Sequence, residues 1–405
     1  MGLMAVCTLA SAQELSHPLT RNRVLSGAIE QVWSNTLRLV AQSDAIVNAV
    51  DPASHLISMT IPVKVEEANR YILEGKDLPP RPQMAHLVIW ARSVDQTKTR
   101  VFVRAAIGSA GIFLHSSSAL EDEIFEALES GKAWRANKPV ELAFAHPPER
   151  VWRGALNVIS SSSLTISAAN AEARVLTCTI NIPSDAVKQF TAQKVTGYHP
   201  ADAHLTLWLE PAGTGTRLMT HVLLLEAGMY APPAIVSNGA LEGQLLKTIE
   251  RSLAGEAMAL KVGTTYKRNQ DFWWTLFSAP LPATENIKAN GAKQQLPTSL
   301  DEAWTAALIL VTQFAIINRC DRQAGIIGYI AAHPSKGEAK YSVHQMVILL
   351  EATNFGVDVY ASGEGATDLK DELAVEKLEL IEKIATQLFI KEKLKWLLKA
   401  QEKTK

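Results

Sequence analysis

The chain has 405 residues, 47% of them apolar and 20% charged, with 40 basic against 41 acidic side chains. That length suits two to four domains with substantial cores, and a formal net charge of -1 offers no basic field for a phosphate backbone, so nucleic acid is not an expected partner. No run reaches the roughly 18 to 20 apolar residues of a membrane-spanning helix, and no transmembrane segment is expected.

At the N-terminus, Gly2 to Ala12 is small and apolar, and Ala10-Ser11-Ala12 before Gln13 fits the small-x-small cleavage pattern of a secretory signal. The expectation is a signal peptide over 1–12 and a periplasmic or secreted protein, with a cytoplasmic location as the alternative. Cleavage after Ala12 removes Cys7 and leaves Cys178 and Cys320 in different repeats, which makes neither a disulfide framework nor a metal site.

Self-similarity then organises the rest of the chain. Three segments align on a tryptophan: Ile29 to Trp33, Pro148 to Trp152 and Leu300 to Trp304. Around each, apolar or small residues recur at helical spacing: Val32, Trp33, Thr36, Leu37 and Val40; Val151, Trp152, Ala155, Leu156 and Ile159; Ala303, Trp304, Ala307, Leu308 and Val311. Large aromatics on such a face predict core, not a ligand-stacking set.

A polar turn follows at Val50-Asp51-Pro52, Ala169-Asn170-Ala171 and Asp321-Arg322-Gln323. It leads into a strand whose alternation predicts core rows Ile57, Met59, Ile61; Leu176, Cys178, Ile180; and Gly328, Ile330, Ala332. Residues 65–84 and 185–203 read as long loops. His86-Leu87-Val88-Ile89-Trp90 then matches His204-Leu205-Thr206-Leu207-Trp208, each opening a hairpin; the third copy keeps the hairpin without the histidine or tryptophan. A helix closes each copy, the last one from about 369 to 399, and a first strand precedes each tryptophan helix, clearest at Val140 to Phe144.

Two helices find cover on one small sheet only by lying across the same face. The predicted fold class is therefore α+β, three tandem helix-grip modules over 13–132, 133–256 and 296–405. Between the second and third lies a linker over 257–295 with the aromatic run Phe272, Trp273, Trp274 and Phe277, the candidate partner-binding residues.

Signatures of metalloproteases, nucleophile elbows, phosphate loops and dinucleotide folds are absent from the sequence. His199, Asp202 and His204 match no standard metal spacing. No catalytic, cofactor or metal residues are expected, and the reading is not an enzyme. The pattern resembles the helix-grip modules of bacterial envelope lipoproteins, such as the BamC subunit of the outer-membrane assembly machine. That resemblance implies a scaffold acting through protein contacts, with possible peripheral association at a membrane. An apolar small-molecule or lipid-binding protein using the grip cavity is the alternative.

Overall fold

The computed structural model describes residues 20–72, 83–109, 112–135, 138–162, 164–171, 173–192, 201–226, 234–256, 258–262, 282–334, 341–364 and 384. They form an α+β chain of three helix-grip modules, each an antiparallel sheet with its long helices packed on one face, and with the short helix Thr284–Asn290 on the other face of the third sheet.

Module 1 comprises Arg21–Ser26 (β1), Ile29–Ala41 (α1), Ile46–Asp51 (β2), Leu56–Val63 (β3), Val65–Tyr71 (α2), Gln83–Ser93 (β4), Lys98–Ser109 (β5), Ile112–His115 (β6) and Ala119–Ser130 (α3). Module 2 repeats this with Val140–Phe144 (β7), Pro148–Ser161 (α4), Thr165–Asn170 (β8), Val175–Ile182 (β9), Ser184–Phe190 (α5), Ala201–Ala212 (β10), Gly215–Glu226 (β11), Ala234–Val236 (β12) and Ala240–Leu253 (α6). Module 3 has Thr284–Asn290 (α7), Ala292–Leu296 (β13), Leu300–Phe314 (α8), Ile316–Asp321 (β14), Ile326–Pro334 (β15), Tyr341–Thr353 (β16) and Gly356–Glu364 (β17). Strand orders are β1-β5-β4-β3-β2, β12-β11-β10-β9-β8 and β13-β17-β16-β15-β14, with β6 added on β5 and β7 on β11.

Local chemistry accounts for the helix starts. Ser299 caps α8 by accepting from the Glu302 backbone N–H, and Pro148 opens α4 where a missing N–H costs nothing. Gly154 of α4 lets α6 approach closely, since a Cβ there would lie 2.7 Å from Leu253 Cδ2. A residue with positive φ, His55, Arg174 or Gly325, ends the turn before β3, β9 and β15 in the three modules. The strand before that turn carries one bulge in every copy, at Asn48, Ser167 and Asn318.

Several sequence expectations change. Trp33 and Trp304 are buried, at 5% and 0% exposure, whereas Trp152 is only half-buried at the rim of its core. In module 3 the core row is Ile327 and Tyr329, not Gly328, Ile330 and Ala332. The stretch from Trp304 to Asp321 is one residue shorter than that from Trp33 to Asp51, and a one-residue slip reverses every side chain of a strand. The loops expected over 65–84 and 185–203 each begin as a short helix, α2 and α5. Within the expected linker, α7 packs on sheet 3 and β13 pairs with β17. Ile384, from the expected closing helix, is helical and fully buried in the core that α8 shares with sheet 3.

One edge of sheets 1 and 2 is split between two short strands, and this creates a polar problem. β1 pairs with β5 up to Val103 and β6 begins at Ala106, leaving the Ala105 N–H between them; β7 pairs up to Thr220 and β12 begins at Leu223, leaving Val222. Glu121 of α3 accepts from Ala105 N at 3.2 Å and from Ser116 Oγ at 2.6 Å. Glu242 of α6 repeats the arrangement with Val222 N at 3.1 Å and Ser237 Oγ at 2.8 Å. A buried carboxylate thus completes the ladder where no strand can. Burial pushes both carboxyls up from the ordinary range, the hydroxyl and backbone donors partly offsetting it.

Two outcomes follow. Trp304→Ala should cost about 3 to 5 kcal/mol in denaturant unfolding, the usual range for a large buried aromatic, and Trp152→Ala clearly less. For the carboxyls, a folded pKa above the unfolded one means a contribution present at low pH and lost as pH rises through the folded value. Wild type should therefore gain stability relative to the double variant Glu121→Gln, Glu242→Gln as pH is lowered from 7 to about 4.5; parallel melting temperatures across that range would contradict it.

Candidate functional site

Each sheet carries a second apolar plot on the face away from its own helices. The matched positions are Leu56, Trp90 and Phe102 in sheet 1; Val175, Trp208 and Met219 in sheet 2; Ile326, Leu349 and Tyr360 in sheet 3. The first plot packs under Ala303, Trp304 and Ala307 of α8, the second under Trp33 and its neighbours on α1, and the third under Ile287 of α7. Module 3 therefore seats on the back of module 1, and module 1 on the back of module 2. Sheet 3 receives a short helix instead, and it is the copy without the tryptophan.

The two joints use matched groups. Ser58 Oγ donates to the Ile317 carbonyl at 2.6 Å, and Thr177 Oγ1 donates to the Val47 carbonyl at 3.1 Å; the third matched position is Gly328, with no hydroxyl to offer. The carbonyls near the C-termini of the seated helices are also met from the next sheet, Thr312 by Arg104 and Ala45 by His221 Nε2, the latter at 3.3 Å. Such cation or N–H contacts complement the negative end of a helix. Trp304 Nε1 donates to the buried Asp51 carboxylate at 2.7 Å, a bond specific to the joint between modules 3 and 1.

Two clefts lie along these joints. A groove of about 600 Å³ runs between α1 and the ends of β9 and β10, over Trp33, Leu37 and Trp208, with Arg38 Nε 3.4 Å from Glu210 across it and His55 Nε2 3.2 Å from Glu30 at its rim. A second cleft of about 510 Å³ is polar and shared by the matched turns of all three modules, including Asp51, Asn170, Arg319 and Arg322. Inter-module clefts with convergent polar groups are the usual seats of binding sites.

The matched histidines noted in the sequence, His86 and His204, sit on the sheet backs in parallel chains of hydrogen bonds. Asn48 Nδ2 donates to Thr60 Oγ1 at 2.9 Å, and that hydroxyl lies 2.8 Å from His86 Nδ1. In module 2, Ser167 Oγ lies 3.2 Å from Thr179 Oγ1, itself 3.2 Å from His204 Nδ1. Asn48 and Ser167 both line the polar cleft, so each chain links a bulge in the cleft wall to an imidazole. The link was invisible in sequence because it depends on strand register. Burial pushes His86 down to about 3, and His221 down to about 4 against the pull of the Ala45 and Ala41 carbonyls.

Asp202 is fully buried and accepts from Asn181, in place of a ligand role with His204; His199 lies outside the described residues. So do Phe272, Trp273, Trp274 and Phe277. Among the described residues no group of three or more His, Cys, Asp or Glu is placed to hold a metal, and no helix is long and apolar enough to cross a membrane. Cys178 is a core residue whose thiol burial pushes up to about 12.

The histidines give a pH dependence of definite sign. Below about 6.5 the unfolded imidazoles take up protons that the folded ones do not, so stability falls as pH drops from there towards the folded values. His86→Gln, the residue that module 3 carries as Gln345, should flatten this slope between pH 7 and about 4.5 in urea unfolding. An unchanged slope would show that His86 is not the neutral, buried group described.

No family model matches the chain, and no curated protein matches it. Among solved structures it is similar to the di-domain ARO/CYC BexL from the BE-7585A biosynthetic pathway, at 9% identity and TM-score 0.18, over 58% of this chain and 95% of that one. It is also similar to the di-domain ARO/CYC StfQ from the steffimycin biosynthetic pathway, at 8% identity and TM-score 0.16, over 64% and 93%. A third is DynU16 from the dynemicin biosynthetic locus, at 12% and 0.13, over 50% and 86%. The expectation that the chain is not an enzyme is corrected here: ARO/CYC proteins are aromatase/cyclases, which are enzymes, so these neighbours overturn the step from a triplicated helix-grip scaffold to a non-catalytic protein.

Proposed function

We propose that the chain is a binding scaffold that presents its inter-module groove and polar cleft to a partner protein. The observation that carries this reading is how the apolar faces are spent. Leu120, Ile124 and Phe125 in module 1 and Leu241, Leu245 and Ile249 in module 2 are fully buried between helix and sheet. These grips are filled by their own side chains, which favours contact through surfaces over an apolar ligand held inside. The apolar plots on the backs of sheets 1 and 2 are in turn covered at the joints, so the modules pack into one platform with its polar relief along the clefts. The bacterial envelope as its setting belongs to the same proposal and rests on the pattern at 1–12 and on the resemblance to envelope lipoproteins.

A photo-crosslinking residue placed at the exposed Ser34 in the groove or Gln323 in the cleft, in cells, tests this, with the hairpin tip Gln96 as control. A discrete protein adduct from the first two positions and none from the third is expected. A lipid or small apolar compound that raises the melting temperature by several degrees, with no protein adduct, would replace the scaffold by the ligand-binding reading.

A further inference from the structure

The two joints are built on one plan, yet they differ at one matched position. Where module 3 seats on module 1, the back-face group meeting the helix C-terminus is Arg104. Where module 1 seats on module 2, the matched back-face group is His221. A permanently charged guanidinium is thus replaced by an imidazole in this joint.

His221 is 1% exposed between α1 and sheet 2. Facing it are the Ala41 and Ala45 carbonyls, the Trp208 ring at 5.8 Å and Thr206 across the strand pair. The titratable groups on the packed elements are engaged elsewhere: Asp44 with Arg135, Arg38 with Glu210 and Glu30 with His55 on the side of module 1, and Asp202 with Asn181 and His204 with Thr179 on the same face of sheet 2. A proton arriving on His221 therefore meets the Ala41 and Ala45 carbonyls but no carboxylate of its own inside the joint.

We propose that the joint between modules 1 and 2 is an acid-sensitive hinge, while the joint between modules 3 and 1 is fixed. Burial holds the His221 imidazole down to about 4 in the closed joint, and release to solvent restores a value near 6.5, so closure weakens as pH falls between these values. The closed-to-open ratio should drop on the order of a hundredfold.

Spin labels on cysteines placed at Gln31 and Thr214 report this joint, and labels at Gln96 and Gln294 report the other, all exposed positions. Between pH 7 and 4.5 the first distance distribution should broaden and lengthen while the second stays fixed and the far-UV circular dichroism is unchanged. His221→Gln should abolish the change, and Arg104→His should confer it on the second pair. A wild-type distance that does not move, a His221→Gln variant that moves equally, or opening only in step with loss of secondary structure would each overturn the hinge.

Discussion

Every sheet described carries apolar surface on both faces, and that single constraint organises the molecule. An isolated antiparallel sheet can leave one side to water if that side is polar. Here β2 and β3 are buried along their whole length, and Trp90 and Phe102 stack at 5.0 Å on the side away from the grip. Each sheet therefore needs two covers, its grip helices on one side and a second helix on the other. The second helix is a neighbouring module's for sheets 1 and 2, and module 3's own α7 for sheet 3.

Satisfying apolar faces in this way brings polar groups into dry places, and the chain answers each with a local device. Glu121 and Glu242 fill the gaps at split sheet edges. Asp51 is met by the Trp304 indole and lies 3.7 Å from Arg322. Arg135 holds both oxygens of Asp44, together with Glu67 and the Pro62 carbonyl, and so closes the end of module 1. Breaking such a buried pair from one side leaves an uncompensated charge, which costs far more than an exposed ion pair contributes.

The triplicate plan was legible because helical spacing around a tryptophan survives in one dimension, and β7 lies where Val140 to Phe144 reads as a strand. The third strand's register was not legible, since a single residue missing from a loop leaves no periodic trace yet exchanges its faces. Trp90 and Trp208 were visible as a matched pair, but nothing along the chain says that they face away from their own helices and receive another module. The clefts and the bulge-to-histidine chains were equally hidden, because they join residues from strands and modules distant in sequence. Gly328 and Leu349, where the other copies have a hydroxyl and a tryptophan, were in retrospect the sequence trace of the missing third joint.

The order of the modules in space, with the first standing between the other two, differs from their order in the chain, and this bears on synthesis. Asp51 and its partner Trp304 are 253 residues apart. At ribosomal rates of about 5 to 20 residues per second, roughly 10 to 50 seconds separate their emergence. Throughout that interval the leading module can fold its grip, but the aromatic plot of Trp90 and Phe102 has no cover of its own. The nascent chain thus carries an adhesive face until its last third arrives, and a holdase or slow-collision environment has most to protect during that window.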